Sequence, residues 1–334
     1  MTAADDLSAD ILKALARSIP GARKVTGLRR LTGGASRETW AFDLQADEGT
    51  LPLILRRTPA GTAENPVSTG IPLSAEARLI EAARAGGVPT PRVRHVLEGR
   101  DGLGEGYVMS RVPGETIPRR ILRDDAFANV RPHLARQCGE ILARIHAVPR
   151  AAVEGDLDVL DARAQLARYR EIHESFGEPH PVFEAAFAWL AQRAGDAPQT
   201  FVHGDFRHGN LLIGPEGVTA VLDWELAHIG DPLEDLGWIC VPSWRFGQLD
   251  RPVGGFGARE ELISGYEAAG GAPVDRERMK FWEVFGSLKW GVMCQMMGHA
   301  HLSGMVRSLE RAAIGRRVSE TELDLVLMLR GEMP

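Results

Sequence analysis

The sequence predicts an α+β fold, strand-rich in its first third and mostly helical after it. Three observations carry that expectation. Short β-branched and apolar runs broken by glycine fill residues 25–112. Beyond them apolar residues recur every three or four positions, as in Leu134, Cys138, Ile141, Leu142 and Ile145. A single strand–turn–strand pattern, residues 211–222, interrupts the helical part directly after a polar run. The chain has 334 residues, 44% apolar and 25% charged, which is ordinary globular usage and enough for two sizeable lobes with a cleft.

Taken in order, a leader helix is expected around Ser8 to Ser18. Strands Val25 to Leu31 and Ser36 to Leu44 would pair around Thr32-Gly33-Gly34-Ala35, and Leu51 to Arg57 would follow as a third. A helix from Ser74 to Ala85 places Glu76 on one face with Leu79, Ile80 and Ala83. Arg92 to Glu98 and Gly106 to Val112 form a second hairpin around a glycine-rich turn. Arg131 to Ala147 is the expected central helix of the larger part, with His146 structural, and residues 151–198 and 258–330 supply further helices. Trp244 to Gly257 breaks the pattern and reads as a loop facing the cleft, either part of a binding pocket or an aromatic anchor. Phe281, Trp282, Phe285, Trp290, Met293, Met296 and Met297 form a helical stripe best explained by core packing.

The chemistry is concentrated in His203-Gly204-Asp205-Phe206-Arg207-His208-Gly209-Asn210, followed by the hairpin and Val221-Leu222-Asp223. Transfer of a γ-phosphoryl group needs positioning and charge neutralisation more than covalent help. In the spacing HxDxxxxN plus a strand-end aspartate, Asp205 would accept the proton of an acceptor hydroxyl. Asn210 and Asp223 would offer oxygens to Mg2+, a hard cation that takes few protein ligands. The hairpin brings those two side by side, and Arg207 would reach the transferred phosphate and offset charge in the transition state. His203 is grouped with these catalytic residues, as one that orients the loop rather than moving protons. Singly these are ordinary strand-capping residues; together they point to an ATP- and Mg2+-dependent kinase.

These residues, with Asp223-Trp224-Glu225-Leu226-Ala227-His228-Ile229-Gly230-Asp231-Pro232-Leu233-Glu234-Asp235-Leu236-Gly237, resemble the aminoglycoside phosphotransferase and choline kinase-like superfamily. The nearest likeness is to the subgroup found beside or fused to acyl-CoA dehydrogenases. The resemblance implies a two-lobed protein-kinase-like fold, with a small antiparallel-sheet nucleotide lobe over residues 1–112, a larger helical catalytic lobe over 113–334, and a hinge near 109–114. It implies ATP and magnesium. It also makes Asp235 the aspartate that braces the catalytic loop, while Asp231, Pro232 and Glu234 read as a helix start: cap, first-turn proline and capping-box glutamate.

Under that resemblance Gly33, Gly34 and Ser36 would let the backbone approach the ATP phosphates, although the same glycines suit a plain hairpin turn. The next strand should carry a lysine on the α and β phosphates, but the four lysines are Lys13, Lys24, Lys280 and Lys289. Arg56 stands at the matching position, with Arg57 on the opposite face. Glu76 is its expected partner, as a phosphate-binding pair or as an ion pair joining helix to sheet. Ser110 and Val112 would offer backbone groups to the adenine edge. Gly204 replaces the arginine that protein kinases use to sense activation-loop phosphorylation, and seven residues between Asp223 and Asp231 leave no room for a peptide-docking segment. The acceptor is therefore expected to be a small molecule.

Composition narrows the partners. A net charge of −6 without a basic cluster excludes a nucleic-acid footprint. No run of about 18 apolar residues suggests a membrane span, and no export signal is apparent, so residence is expected to be cytoplasmic. Cys138, Cys240 and Cys294 are too few and scattered for a disulfide framework or zinc site and read as buried thiols. Arg245 and Arg251 beside aromatics tilt the expected acceptor towards a hydroxylated metabolite such as a hydroxyacyl-CoA, with an aminoglycoside or other antibiotic as the alternative. A metal-dependent phosphoesterase and a nucleotide-binding pseudokinase are the readings from other classes.

Overall fold

The computed structural model describes residues 3–31, 37–59 and 70–333. Gly33, Gly34 and Ser36 lie outside the described residues. Its N-terminal part is a helix, α1 (Ala3–Leu15), laid on a sheet of β1 (Lys24–Arg30), β2 (Glu38–Ala46), β3 (Gly49–Thr58), β4 (Val93–Val96) and β5 (Glu105–Ser110). The sheet runs β1-β2-β3-β5-β4, all neighbours antiparallel, and α2 (Leu73–Ala85) follows β3.

The period of two along β3 divides its work. Leu53 and Leu55 join Ile11, Leu15, Phe42, Leu44 and Val108 in a core under α1. Ile54 and Arg56, on the other face, line a cavity between sheet and larger part. The α1 helix begins and ends earlier than its apolar pattern suggested. Similarly, β5 stops at Ser110 and β4 at Val96, both shorter than expected; Pro113-Gly114 follows the former, and proline cannot donate to a sheet ladder.

The larger part contains α3 (Pro118–Arg123), α4 (Leu134–His146), α5 (Ala162–Ser175), α6 (Pro181–Ala191), β6 (Thr200–Val202), β7 (Leu211–Gly214), β8 (Gly217–Val221), β9 (His228–Gly230), α7 (Leu233–Trp238), α8 (Arg259–Ala268), α9 (Arg276–Leu302), α10 (Leu309–Gly315) and α11 (Val318–Arg330). The expected hairpin is β7 against β8, with Leu211 opposite Val221. The fold is thus α+β, a five-stranded antiparallel sheet beside a helical bulk.

The 27-residue α9, rather than α4, is the axis of this bulk: α5, α6, α7, α10 and α11 all pack on it. Its Phe281, Trp282 and Phe285 are buried in the core as the stripe suggested, whereas Trp290, Met293, Met296 and Met297, expected to share that role, are only partly buried. Pro132 holds the start of the expected 131–147 helix in a 3-10 turn, so α4 begins at Leu134. The three cysteines are buried, unpaired thiols, and burial pushes the Cys294 thiol up to about 12. Among the described residues no helix is long and apolar enough to cross a membrane.

Candidate active site

The catalytic loop lies between β6 and β7 and is pinned from below by α7. Asp235 of that helix accepts the backbone N–H of His203 (2.8 Å) and of Gly204 (2.9 Å), and lies 3.2 Å from His146 Nε2. Burial would raise the Asp235 carboxyl, but the hydrogen bonds from the His146 ring and the His203 backbone outweigh it and hold it below the usual range. Gly204 has φ of +77°, and a β-carbon there would collide with the Leu226 carbonyl. No side chain fits, which explains the missing arginine.

His203 is fully buried, with Nδ1 accepting Asp205 N–H at 3.1 Å and Nε2 donating to the Leu222 carbonyl at 3.0 Å. Burial lowers its pKa, so the ring is a neutral strut between the loop and the end of β8.

Asp205 sits at the centre. Its Oδ1 accepts from Arg207 Nε (3.0 Å) and Trp238 Nε1 (2.8 Å), and its Oδ2 from Asn210 Nδ2 (2.6 Å). Asn210 thereby uses its amide nitrogen on Asp205, leaving Oδ1 as its ligand atom. The Arg207 guanidinium lies 4.7 Å from the Trp244 ring centre.

Asp223 follows the Leu222 N–H to Asn210 carbonyl bond that closes the hairpin, and its φ of +64° is a left-handed value that aspartate tolerates better than most residues. This turn points its carboxylate across the cleft, where Oδ1 accepts from Arg56 Nη2 at 2.7 Å. Arg56 Nε is 3.4 Å from Glu76 Oε2, and Arg57 turns to the other face and meets Glu38. Burial pushes both Glu76 and Asp223 up; Arg56 reverses this for Asp223, which stays below its ordinary value, while Glu76 remains raised. The hard oxygens of Asn210 and Asp223 form a donor set of the kind Mg2+ takes.

Above them lies a cavity of about 330 Å³ lined by Ile54, Arg56, Met109, Ser110, Val112 and Asp223, among others. It brings Ser110 and Val112 together with Arg56 and Asp223 as one mostly apolar pocket with a charged end.

Sequence reasoning missed four participants. Arg37 bridges the Glu225 carboxylate (2.9 Å), Glu76 (3.4 Å) and the Ile71 carbonyl (2.7 Å), tying sheet, α2 and the segment after Asp223. Burial and then Asp223 push Glu225 up to about 7. Lys289 of α9 donates to the Gly204 carbonyl at 3.2 Å. Trp238 carried one readable signal: it stands three residues after Asp235, on the same helix face.

Three expectations need correction. Arg245 does not face the cleft; it is fully buried, and its guanidinium donates to the Cys240 and Leu249 carbonyls. Arg251 likewise turns to a carbonyl of its own loop, Phe256. Glu234 does not close a capping box but points inward to Gln165, His228 and Lys289. Asp231 does cap α7, accepting Leu233 N–H at 2.9 Å.

Fold and site define a phosphotransferase. The chain belongs to the phosphotransferase enzyme family (APH), whose match spans residues 27–282. It is 26% identical over 315 residues to acyl-CoA dehydrogenase family member 11 of Pongo abelii, covering 87% of this chain and 39% of that protein. The chain thus spans well under half the length of the curated relatives it matches. Among solved structures it resembles a Ralstonia eutropha JMP134 protein provisionally named an aminoglycoside phosphotransferase (TM-score 0.74, 21% identity, 96% of this chain and 98% of that one). It also resembles aminoglycoside phosphotransferase APH(4)-Ia in complex with AMP-PNP and hygromycin B (TM-score 0.64, 17% identity, 96% and 98%). The kinase-like fold is shared with both.

Proposed function

We propose that the protein is an ATP- and Mg2+-dependent kinase that phosphorylates a hydroxyl of a small molecule, with a hydroxyacyl-CoA or related metabolite as the acceptor. The observation that carries this reading is the hydrogen bond of Asn210 to Asp205 at one chain end of the hairpin whose other chain end carries Asp223, which with Arg56 gives a mostly apolar cavity a charged end. In this reading the base of ATP occupies the apolar part against Ser110 and Val112, and Arg56, released from Asp223, meets the phosphates. Mg2+ bound by Asn210 and Asp223 would neutralise charge on the transferring group. Asp205 takes the proton of the acceptor hydroxyl as its oxygen bonds to the γ-phosphorus and the bond to the β-phosphate oxygen breaks, leaving ADP. Arg207 offsets the charge on the group in transfer.

The surroundings of Asp205 support an acceptor other than a polycation. A polycationic aminoglycoside favours carboxylates around the base. Asp205 is instead flanked by Arg207, Trp238 and, behind Arg207, Trp244. The relatives named for acyl-CoA dehydrogenases support the acyl-CoA class, here on the strength of family rather than of Arg245 and Arg251. A neighbour complexed with hygromycin B keeps an antibiotic as the second reading.

The test is ADP release from Mg·ATP against short hydroxyacyl-CoAs, choline, aminoglycosides, macrolides and sugars. Release stimulated by one acceptor and lost in Asp205→Asn supports the proposal. A chain that binds no nucleotide overturns it, and one that binds ATP but turns over none of the panel is a pseudokinase towards these acceptors.

A further inference from the structure

Three side chains hold the Asp205 carboxylate, and they are not equivalent. Arg207 is 27% exposed, and in the phosphotransfer reading its charge is drawn to the transferred phosphate. Asn210 is assigned to the cation. Trp238 is only 2% exposed, neutral and rigid, and its single N–H points at Asp205 Oδ1 from 2.8 Å. It is therefore the donor that stays in place when the other two are engaged by ligand.

Two further contacts lock the indole. Trp238 packs edge-on to Trp244, with ring centres 5.3 Å apart. On its face lies the buried Lys289 Nζ, 4.7 Å from the ring centre, which also donates to the Gly204 carbonyl. A cation over an indole is attracted by the electron-rich face, and it draws density from the ring and so sharpens the N–H as a donor. Lys289 is itself fixed, 3.5 Å from the buried Glu234. Helix α7 thus grips the catalytic loop twice from one face: Asp235 takes its backbone N–H groups, and Trp238, three residues on, takes the side chain of the base.

We propose that Trp238, seated by Lys289, is a positioning residue that sets the orientation of the Asp205 carboxylate towards the acceptor hydroxyl. A base must lie within hydrogen-bond reach of the proton it takes, and an unrestrained aspartate samples several rotamers. Trp238 removes that freedom without adding a charge that would compete for the phosphate. The kinetic consequence rests on the phosphotransfer reading; the hydrogen bond does not.

The experiment uses the full chain and two readouts. In 15N-tryptophan-labelled protein the Trp238 indole resonance, assigned by its loss in Trp238→Phe, moves upfield when Asp205→Ala removes the acceptor. In parallel, Trp238→3-benzothienylalanine replaces only the N–H by sulfur and keeps the ring shape. ADP release from Mg·ATP, with the acceptor found by the panel or otherwise water, then falls about tenfold in kcat, as expected for losing an orienting contact, while KM for Mg·ATP stays within about twofold. Mg·ADP binding fixes the folded fraction, so lost protein cannot imitate the effect. An indole resonance indifferent to Asp205→Ala, or a benzothienyl variant with wild-type kcat, overturns the proposal. If the wild type releases no ADP at all, the phosphotransfer reading fails, and the resonance still decides whether the indole holds the carboxylate.

Discussion

The guanidinium of Arg56 stands 2.7 Å from Asp223 Oδ1 while its Nε lies 3.4 Å from Glu76. A strand residue of the sheet thereby touches both a helix carboxylate and the aspartate at the end of the hairpin. Lysine carries one compact charge on a flexible stem and cannot make both contacts in a fixed fork. Burial opposes charge on Arg56, yet the carboxylates of Glu76 and Asp223 raise its pKa above the ordinary value, so it stays charged at any working pH.

Arg56→Lys is therefore expected to keep some nucleotide affinity and Arg56→Ala to lose most of it. Calorimetric titration with Mg·ATP should find about tenfold weaker binding for the lysine variant and at least about a hundredfold for alanine, in line with charge-assisted, bidentate phosphate contacts. Equal affinity in all three proteins would remove Arg56 from the phosphate site.

Asp205 and Asp223 should fail in different ways. Asp205→Asn keeps the size but replaces one accepting oxygen by an NH2 and cannot take a proton, so kcat should fall by about a thousandfold or more with Mg·ADP affinity within about twofold. Asp223→Ala should instead abolish the magnesium dependence of nucleotide binding. Stopped-flow binding with and without Mg2+ separates the two, and an Asp205→Asn enzyme with full turnover would dismiss the base assignment.

Asp235 is a stability residue as well as a brace. It is fully buried, and replacing it by alanine strands the N–H groups of His203 and Gly204 and leaves His146 Nε2 without its partner. The expected cost is about 3 kcal/mol, typical of breaking a buried hydrogen-bonded charge network. Urea unfolding reads it directly; a loss below about 0.5 kcal/mol would mean the loop is held elsewhere.

Asp324 of α11 provides a pH test outside the catalytic loop. Burial pushes its carboxyl up to about 6 against the opposing pull of Arg245. The folded chain therefore keeps a proton that the unfolded chain releases near 3.8. Stability is lost as pH rises between those two values, with the full cost present above the upper one. Asp324→Asn should raise Tm by about 1–2 °C at pH 8 and leave it unchanged at pH 4. The same gain at both pH values would show that ionisation is not the cause.

What could be read from the chain was set by short-range spacing. The interval from Asp205 to Asn210, the four-residue turn after Ile213 and the apolar run to Leu222 impose a hairpin, and a hairpin alone brings Asn210 beside Asp223. The period of two in β3 likewise separates Arg56 from Arg57. Such relations depend on backbone geometry within a few residues, which is why the local pattern suffices.

Contacts between distant segments were not legible in this way. Arg37 meets Glu225 across 188 positions, and Lys289 meets Gly204 across 85, distances over which spacing carries no geometric information. Arg245 and Glu234 show the converse: charged residues in a promising loop and a familiar motif turned inward, because buried carbonyls and a buried lysine needed partners. Local sequence placed the groups that could do chemistry; packing chose which stay in the cleft, which brace it, and how Trp238 comes to lie against Asp205. That choice depends on desolvation and on shared hydrogen bonds, which exist only once distant elements have come together.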